Sequence, residues 1–156
     1  MKSNKKYGFA VAATFIWIGF LCAISFMEAW LKFRAPGVTI EIGLGIGKLV
    51  FGALNKVEIV LALIILFNLL LNKSKQLSVA SIFFYVAFVI VLLETFWALP
   101  ALDKIANLVI HDQPLPPSNL HIYYVVMEVI KLGCLILFGI QLLNGSNVSN
   151  SLKKEI

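Results

Sequence analysis

Apolar residues in this chain neither alternate nor recur as a narrow stripe. They run on in blocks separated by short polar breaks. Four blocks reach spanning length, at residues 8–33, 49–71, 77–99 and 120–143. Because about 20 apolar residues carry a helix across the hydrocarbon of a bilayer, each block predicts a transmembrane helix. Lys2, Lys5 and Lys6 precede the first block as they would in a secretory leader. That block exceeds the roughly 7–15 apolar residues of a leader, so it reads as a retained helix. The expected fold is an all-α integral membrane protein with four transmembrane helices in a single domain.

Composition strengthens this reading. Of 156 residues, 60% are hydrophobic and 13% charged, against about 25% charged in ordinary soluble domains. The mean hydropathy is +0.93. A net charge of +5 could suggest nucleic acid, but the basic residues flank apolar blocks in ones, twos and threes and form no phosphate-tracking face. They act instead as topology signals. Lys2, Lys5, Lys6, Lys73, Lys75, Lys153 and Lys154 fall on one side of a four-span arrangement; Lys32, Arg34, Lys48 and Lys104 fall on the other. The excess places both termini in the cytoplasm, in a membrane expected to be the bacterial inner membrane. Cys22 and Cys134 lie inside apolar blocks without a C-x-x-C spacing, which argues against a disulfide framework or a thiol redox motif.

The connections at the opposite end break regular structure. Pro36-Gly37 turns the chain after the first block, and Gly43, Gly45 and Gly47 precede the second. The run Gly43-Leu-Gly-Ile-Gly-Lys48 lacks the spacing and the Ser or Thr of a phosphate loop. It reads as a place where Gly43 and Gly47 allow close packing, or as an interfacial segment over residues 38–48. Pro100 is expected to end the third span.

The chain also suggests an internal repeat. Ile65-Leu-Phe-Asn-Leu-Leu-Leu-Asn72 resembles Ile136-Leu-Phe-Gly-Ile-Gln-Leu-Leu-Asn144, and Glu28-Ala-Trp30 resembles Glu94-Thr-Phe-Trp97. Residues 8–74 and 77–146 thus read as a tandem pair of helical hairpins related by a pseudo-two-fold axis along the membrane normal.

Four of the eight acidic residues lie inside the spans, one in each: Glu28, Glu58, Glu94 and Glu128. At about 1.5 Å per residue they occupy one slab, roughly 8–15 Å below the helix ends. A charge facing lipid costs about 2.5–3.5 kcal/mol at a helix centre, so these side chains should face the bundle interior. Helical spacing puts Ser25, Lys32 and Thr14 on the side of Glu28, Asn55 on that of Glu58, and Tyr124 and Lys131 on that of Glu128. Glu94 has no basic partner on its own helix; Lys56 or another helix would have to supply one.

Two functional classes follow. In the first, Glu28, Glu58, Glu94 and Glu128, with Asn55, Lys56 and Lys131, gather around a cation, a proton or a small polar ligand in a binding or transport protein. In the second, the protein is a structural or assembly subunit whose glutamates make interhelical ion pairs. The partners expected are the bilayer and either a second copy or a larger membrane complex; nucleic acid is not expected. A ferritin-like di-metal centre needs Glu-x-x-His, but the residues three after the four acids are Leu31, Leu61, Trp97 and Lys131. His111, Asp112 and His121 offer a metal-ligand set in the last connection, although solvated loop residues are the commoner outcome. Nothing in the sequence requires a cofactor. No catalytic motif is visible either, which argues against an enzyme, although a membrane enzyme acting on a lipid or quinone remains a third class. Trp30, Trp97, Tyr123 and Tyr124 fall near helix ends, where aromatic residues anchor spans at the interface.

Overall fold

The computed structural model describes residues 7–71, 77–111, 113–114 and 117–151, with side chains of 77–80 and 145–151 left aside. Among these residues it is all-helical. Four helices are long and apolar enough to cross a membrane: Gly8–Arg34, Ile40–Leu71, Ser81–Ile110 and Leu120–Asn144. Their outward surfaces carry large apolar side chains; Leu49 and Phe96 are about three-quarters exposed. Such surfaces are incompatible with water at this density and suit contact with acyl chains. The protein is a multi-pass membrane protein.

The second span is one continuous helix, Ile40–Leu71. It therefore runs straight through the segment where an interfacial piece over 38–48 was expected. The three glycines do not break it, because Gly43 and Gly47 are buried against the end of the first span. A Cβ at Gly43 would lie 2.2 Å from the Phe33 ring, and one at Gly47 would lie 2.9 Å from Lys32 Nζ. The cost of glycine in a helix, about 1 kcal/mol, is set against the close approach of these two side chains. The turn between the spans uses Gly37 at φ 81°, a left-handed backbone that favours glycine.

The third span departs further from expectation. It does not end at Pro100. A helix over Leu77–Leu93 passes into a π-helical segment, Glu94–Ala98, and continues as Leu99–Ile110. Pro100 sits in the first turn after the π segment. There its missing N–H costs little, because the widened i→i+5 turn has already taken the helix out of α register. The first span has a π segment too, Cys22–Glu28. The fourth is a single helix, Leu120–Ser151.

Packing is layered along the bundle axis. Toward the end that carries the termini lies a dry core that includes Trp17, Leu21, Ile65, Phe84, Phe138 and Leu142. Phe84 and Phe138 bring their rings to 5.6 Å, joining the third and fourth spans. Near mid-height comes a charged layer. Toward the connection end the helices line a cavity of about 240 Å³.

Candidate functional site: a buried carboxylate cluster around Lys131

Three of the four intramembrane acids converge. Glu58, Glu94 and Glu128 are each 1% exposed, and Lys131 is fully buried. The Lys131 ammonium lies 2.7 Å from Glu58 Oε1, 2.5 Å from Glu94 Oε2 and 3.1 Å from Glu128 Oε1. One oxygen from each carboxylate falls within 4.8 Å of the others. Glu128 and Lys131 meet because residues three apart share a helix face. Glu94, whose own span carries only Lys104, ten residues further on, obtains its basic partner from the fourth span.

The first span enters through Trp17, whose indole N–H donates to Glu58 Oε1 at 2.8 Å. All four spans therefore meet in one hydrogen-bonded network. Tyr124, one turn before Glu128, lies on the same face of the fourth span. It is 5% exposed, so it is a buried residue of the site and departs from the interfacial role expected of it. Trp30, Trp97 and Tyr123 remain about half exposed, and Trp30 stacks under the Arg34 guanidinium at 4.6 Å.

The expected layer of four acids is a cluster of three. Glu28 pairs instead with Lys32 at 3.3 Å. The stripe Thr14, Trp17, Leu21 is buried, and at α-helical spacing Glu28 would continue it. The π segment adds a residue to the turn and rotates Glu28 off that face. Lys32 is held above Phe51 as well, at 5.0 Å from the ring centroid. Lys56 is exposed and not among the cluster's ion-pair partners. Asn55 is buried at the cluster's edge and reaches Thr95, the residue after Glu94.

Thr95 Oγ1 lies 3.1 Å from Asn55 Oδ1 and 2.7 Å from the Val91 carbonyl oxygen. A hydroxyl has one proton. With the Asn55 amide turned over, Nδ2 donates to Thr95 Oγ1 while the hydroxyl donates to Val91, which satisfies the otherwise unpartnered Asn55 nitrogen. Glu94 Oε1 and Glu128 Oε2 have no such remedy: both are buried without a hydrogen-bond partner.

The loop set is not assembled among the described residues. His111 donates from Nδ1 to the Asn107 carbonyl at 2.7 Å, His121 lies at the cavity wall, and Asp112 falls outside the described residues. The acids at 58, 94 and 128 form a metal-sized group, but Lys131 Nζ already bonds all three carboxylates, so the ammonium serves as the group's resident cation. The i+3 position that would hold histidine in a di-metal bundle holds lysine here.

Trp17 and Thr95 were not found from sequence; the spacing of Tyr124 places it on the face of Glu128, while its position near a helix end reads as an interfacial anchor. The spacing of Trp17 with Thr14 and Leu21 marks the inward face, and Thr95 adjoins an intramembrane acid. Compared with protein-family models, curated proteins and solved structures, the chain matches none.

Proposed function

We propose that the cluster of Glu58, Glu94 and Glu128 is a proton-loading site in a small membrane binding or transport protein. The observation that carries this reading is the mismatch of three buried carboxyls around one ammonium, with two carboxyl oxygens left unpartnered. Fully ionised, the group has a formal charge of −2, which a low-dielectric interior does not tolerate. Uptake of one proton halves it and uptake of two removes it, and a carboxyl O–H supplies a donor within the cluster. Lys131 favours the proton over a metal ion, since a metal would have to displace it.

In this reading the termini face the cytoplasm, the membrane is a bacterial inner membrane, and the two hairpins are tandem repeats. The repeat draws support from a π-helical segment in the first span of each hairpin, one ending at Glu28 and the other starting at Glu94. Four spans are few for a solute pathway, so a homodimer or larger assembly is part of the proposal. The test is proton-coupled uptake or proton release with protein in liposomes. Glu58→Gln with Glu128→Gln should abolish the pH-dependent component with helical content unchanged; an undiminished component would remove the proposal.

One observation favours the second reading, a structural or assembly subunit: the network ties all four spans together through Lys131 and Trp17. A stoichiometric membrane partner that co-purifies with wild type and is lost with Lys131→Met would support that role. A homodimer free of other chains would weaken it.

A further inference from the structure

The cavity at the connection end is a second site, separate from the proton-loading cluster. Its wall is almost wholly apolar, contributed by the first and second spans, by the part of the third beyond its π segment and by the first turns of the fourth. Phe51 and Tyr124 pack edge to face in this wall at 5.6 Å between centroids. By volume it is larger than the roughly 150 Å³ cavity that accommodates six-carbon benzene, and on that scale 240 Å³ holds about ten carbons.

Four titratable groups besides Tyr124 reach this wall: Lys32, Lys48, Asp103 and His121. Lys32 is neutralised by Glu28 at 3.3 Å. Lys48 is not. Its ammonium bonds the neutral amide of Asn107 at 3.2 Å, and among the described residues no carboxylate, Asp103 included, comes within 4.0 Å of it. An exposed cation that lacks a counter-ion beside an apolar chamber is the complement of an amphipathic anion.

We propose that this cavity binds a monocarboxylate of about eight to ten carbons in all, its chain against Phe51 and Ala106 and its carboxylate on the Lys48 ammonium. Of the residues around the Lys131 cluster only Tyr124 lines the cavity, and neither the ammonium nor any of the three carboxylates does, so binding does not depend on how many protons the cluster holds.

The probe is octanoate, titrated calorimetrically into full-length protein in phosphatidylcholine nanodiscs, with empty nanodiscs subtracted. Octanol and octylammonium serve as the neutral and cationic comparisons. The expected result is saturable binding of octanoate at one site per chain. Octanol should bind more weakly and octylammonium not measurably. Lys48→Gln, at an exposed position that leaves the packing intact, should weaken octanoate roughly tenfold, as expected for one charge-assisted hydrogen bond, and leave octanol unchanged. Ala106→Phe should fill the chamber and abolish both. The proposal is overturned by absence of a saturable component, by octanol or octylammonium binding as tightly as octanoate, or by Lys48→Gln binding octanoate like wild type. None of these outcomes bears on the titration of the Lys131 cluster.

Discussion

Replacing Lys131 with methionine keeps the side chain's length and bulk but removes the positive charge from among three carboxylates. One oxygen of each lies within 4.8 Å of the others. At an effective dielectric constant of about 20, two unit charges at that distance repel by about 3.5 kcal/mol, so three ionised carboxylates would repel by about 10 kcal/mol in total. The protein avoids most of this by protonating. What remains is the desolvation of the surviving charge and the unpartnered oxygens, and breaking a buried ion pair from one side costs about 3–5 kcal/mol. Ordinary polar contacts between membrane helices average about 0.6 kcal/mol, because the denatured state in detergent or lipid finds other partners. The Lys131→Met cost should stand clearly above that. The assay is thermal or denaturant unfolding of purified protein in one detergent, followed by circular dichroism. For a chain of this size, 3–5 kcal/mol corresponds to a fall in melting temperature of about 6–20 °C. Adding Glu94→Gln to Lys131→Met should recover part of the loss, since it removes one of the stranded charges. A loss below about 1 kcal/mol, or a loss that the added Gln deepens, would refute the reasoning.

Three further outcomes follow from the same geometry. Trp17→Phe removes the N–H that reaches Glu58 at 2.8 Å and should cost about 1.5–3 kcal/mol in the same unfolding assay; a neutral result would mean that the indole is only filling space. Gly43→Ala places a Cβ 2.2 Å from the Phe33 ring and should destabilise by about 1–3 kcal/mol, with Phe33→Ala relieving the clash. Gly45→Ala, which meets nothing within 4 Å, should instead stabilise the helix by about 0.5–1 kcal/mol; equal effects at 43 and 45 would contradict the packing described. Tyr124→Phe removes a buried hydroxyl one turn from Glu128 and should shift a carboxyl infrared band without loss of helix, and an unchanged spectrum would place that hydroxyl outside the network.

The spans were legible because spanning length and lack of charge are properties of the chain alone. The acidic layer was legible in part, since depth follows from counting residues at a fixed rise. Azimuth does not, and there Glu28 parts from the other three acids for Lys32, the i,i+4 partner its spacing also allowed. One widened turn over Cys22–Glu28 rotates the face that a 3.6-residue period extrapolates from Thr14, Trp17 and Leu21. Pro100 misled for a related reason: a proline ends an α-helix, but it is tolerated in the first turn after a π segment. Partners from other helices were beyond reach. Nothing in the third span indicates that Glu94 takes Lys131, or that Trp17 reaches Glu58 from 41 residues away. Those pairings depend on which helices are neighbours, and apolar blocks of similar length do not encode that order.

The central claim is that the cluster holds protons at neutral pH because one ammonium does not balance three carboxyls. Infrared spectroscopy of protein labelled with carboxyl-13C glutamate, at pH 7 and with a chelator present, measures it directly. The account predicts at least one protonated-carboxyl band from an intramembrane glutamate, altered in the Glu94→Gln and Glu128→Gln variants. A spectrum with every glutamate ionised, and no band sensitive to either substitution, would contradict it.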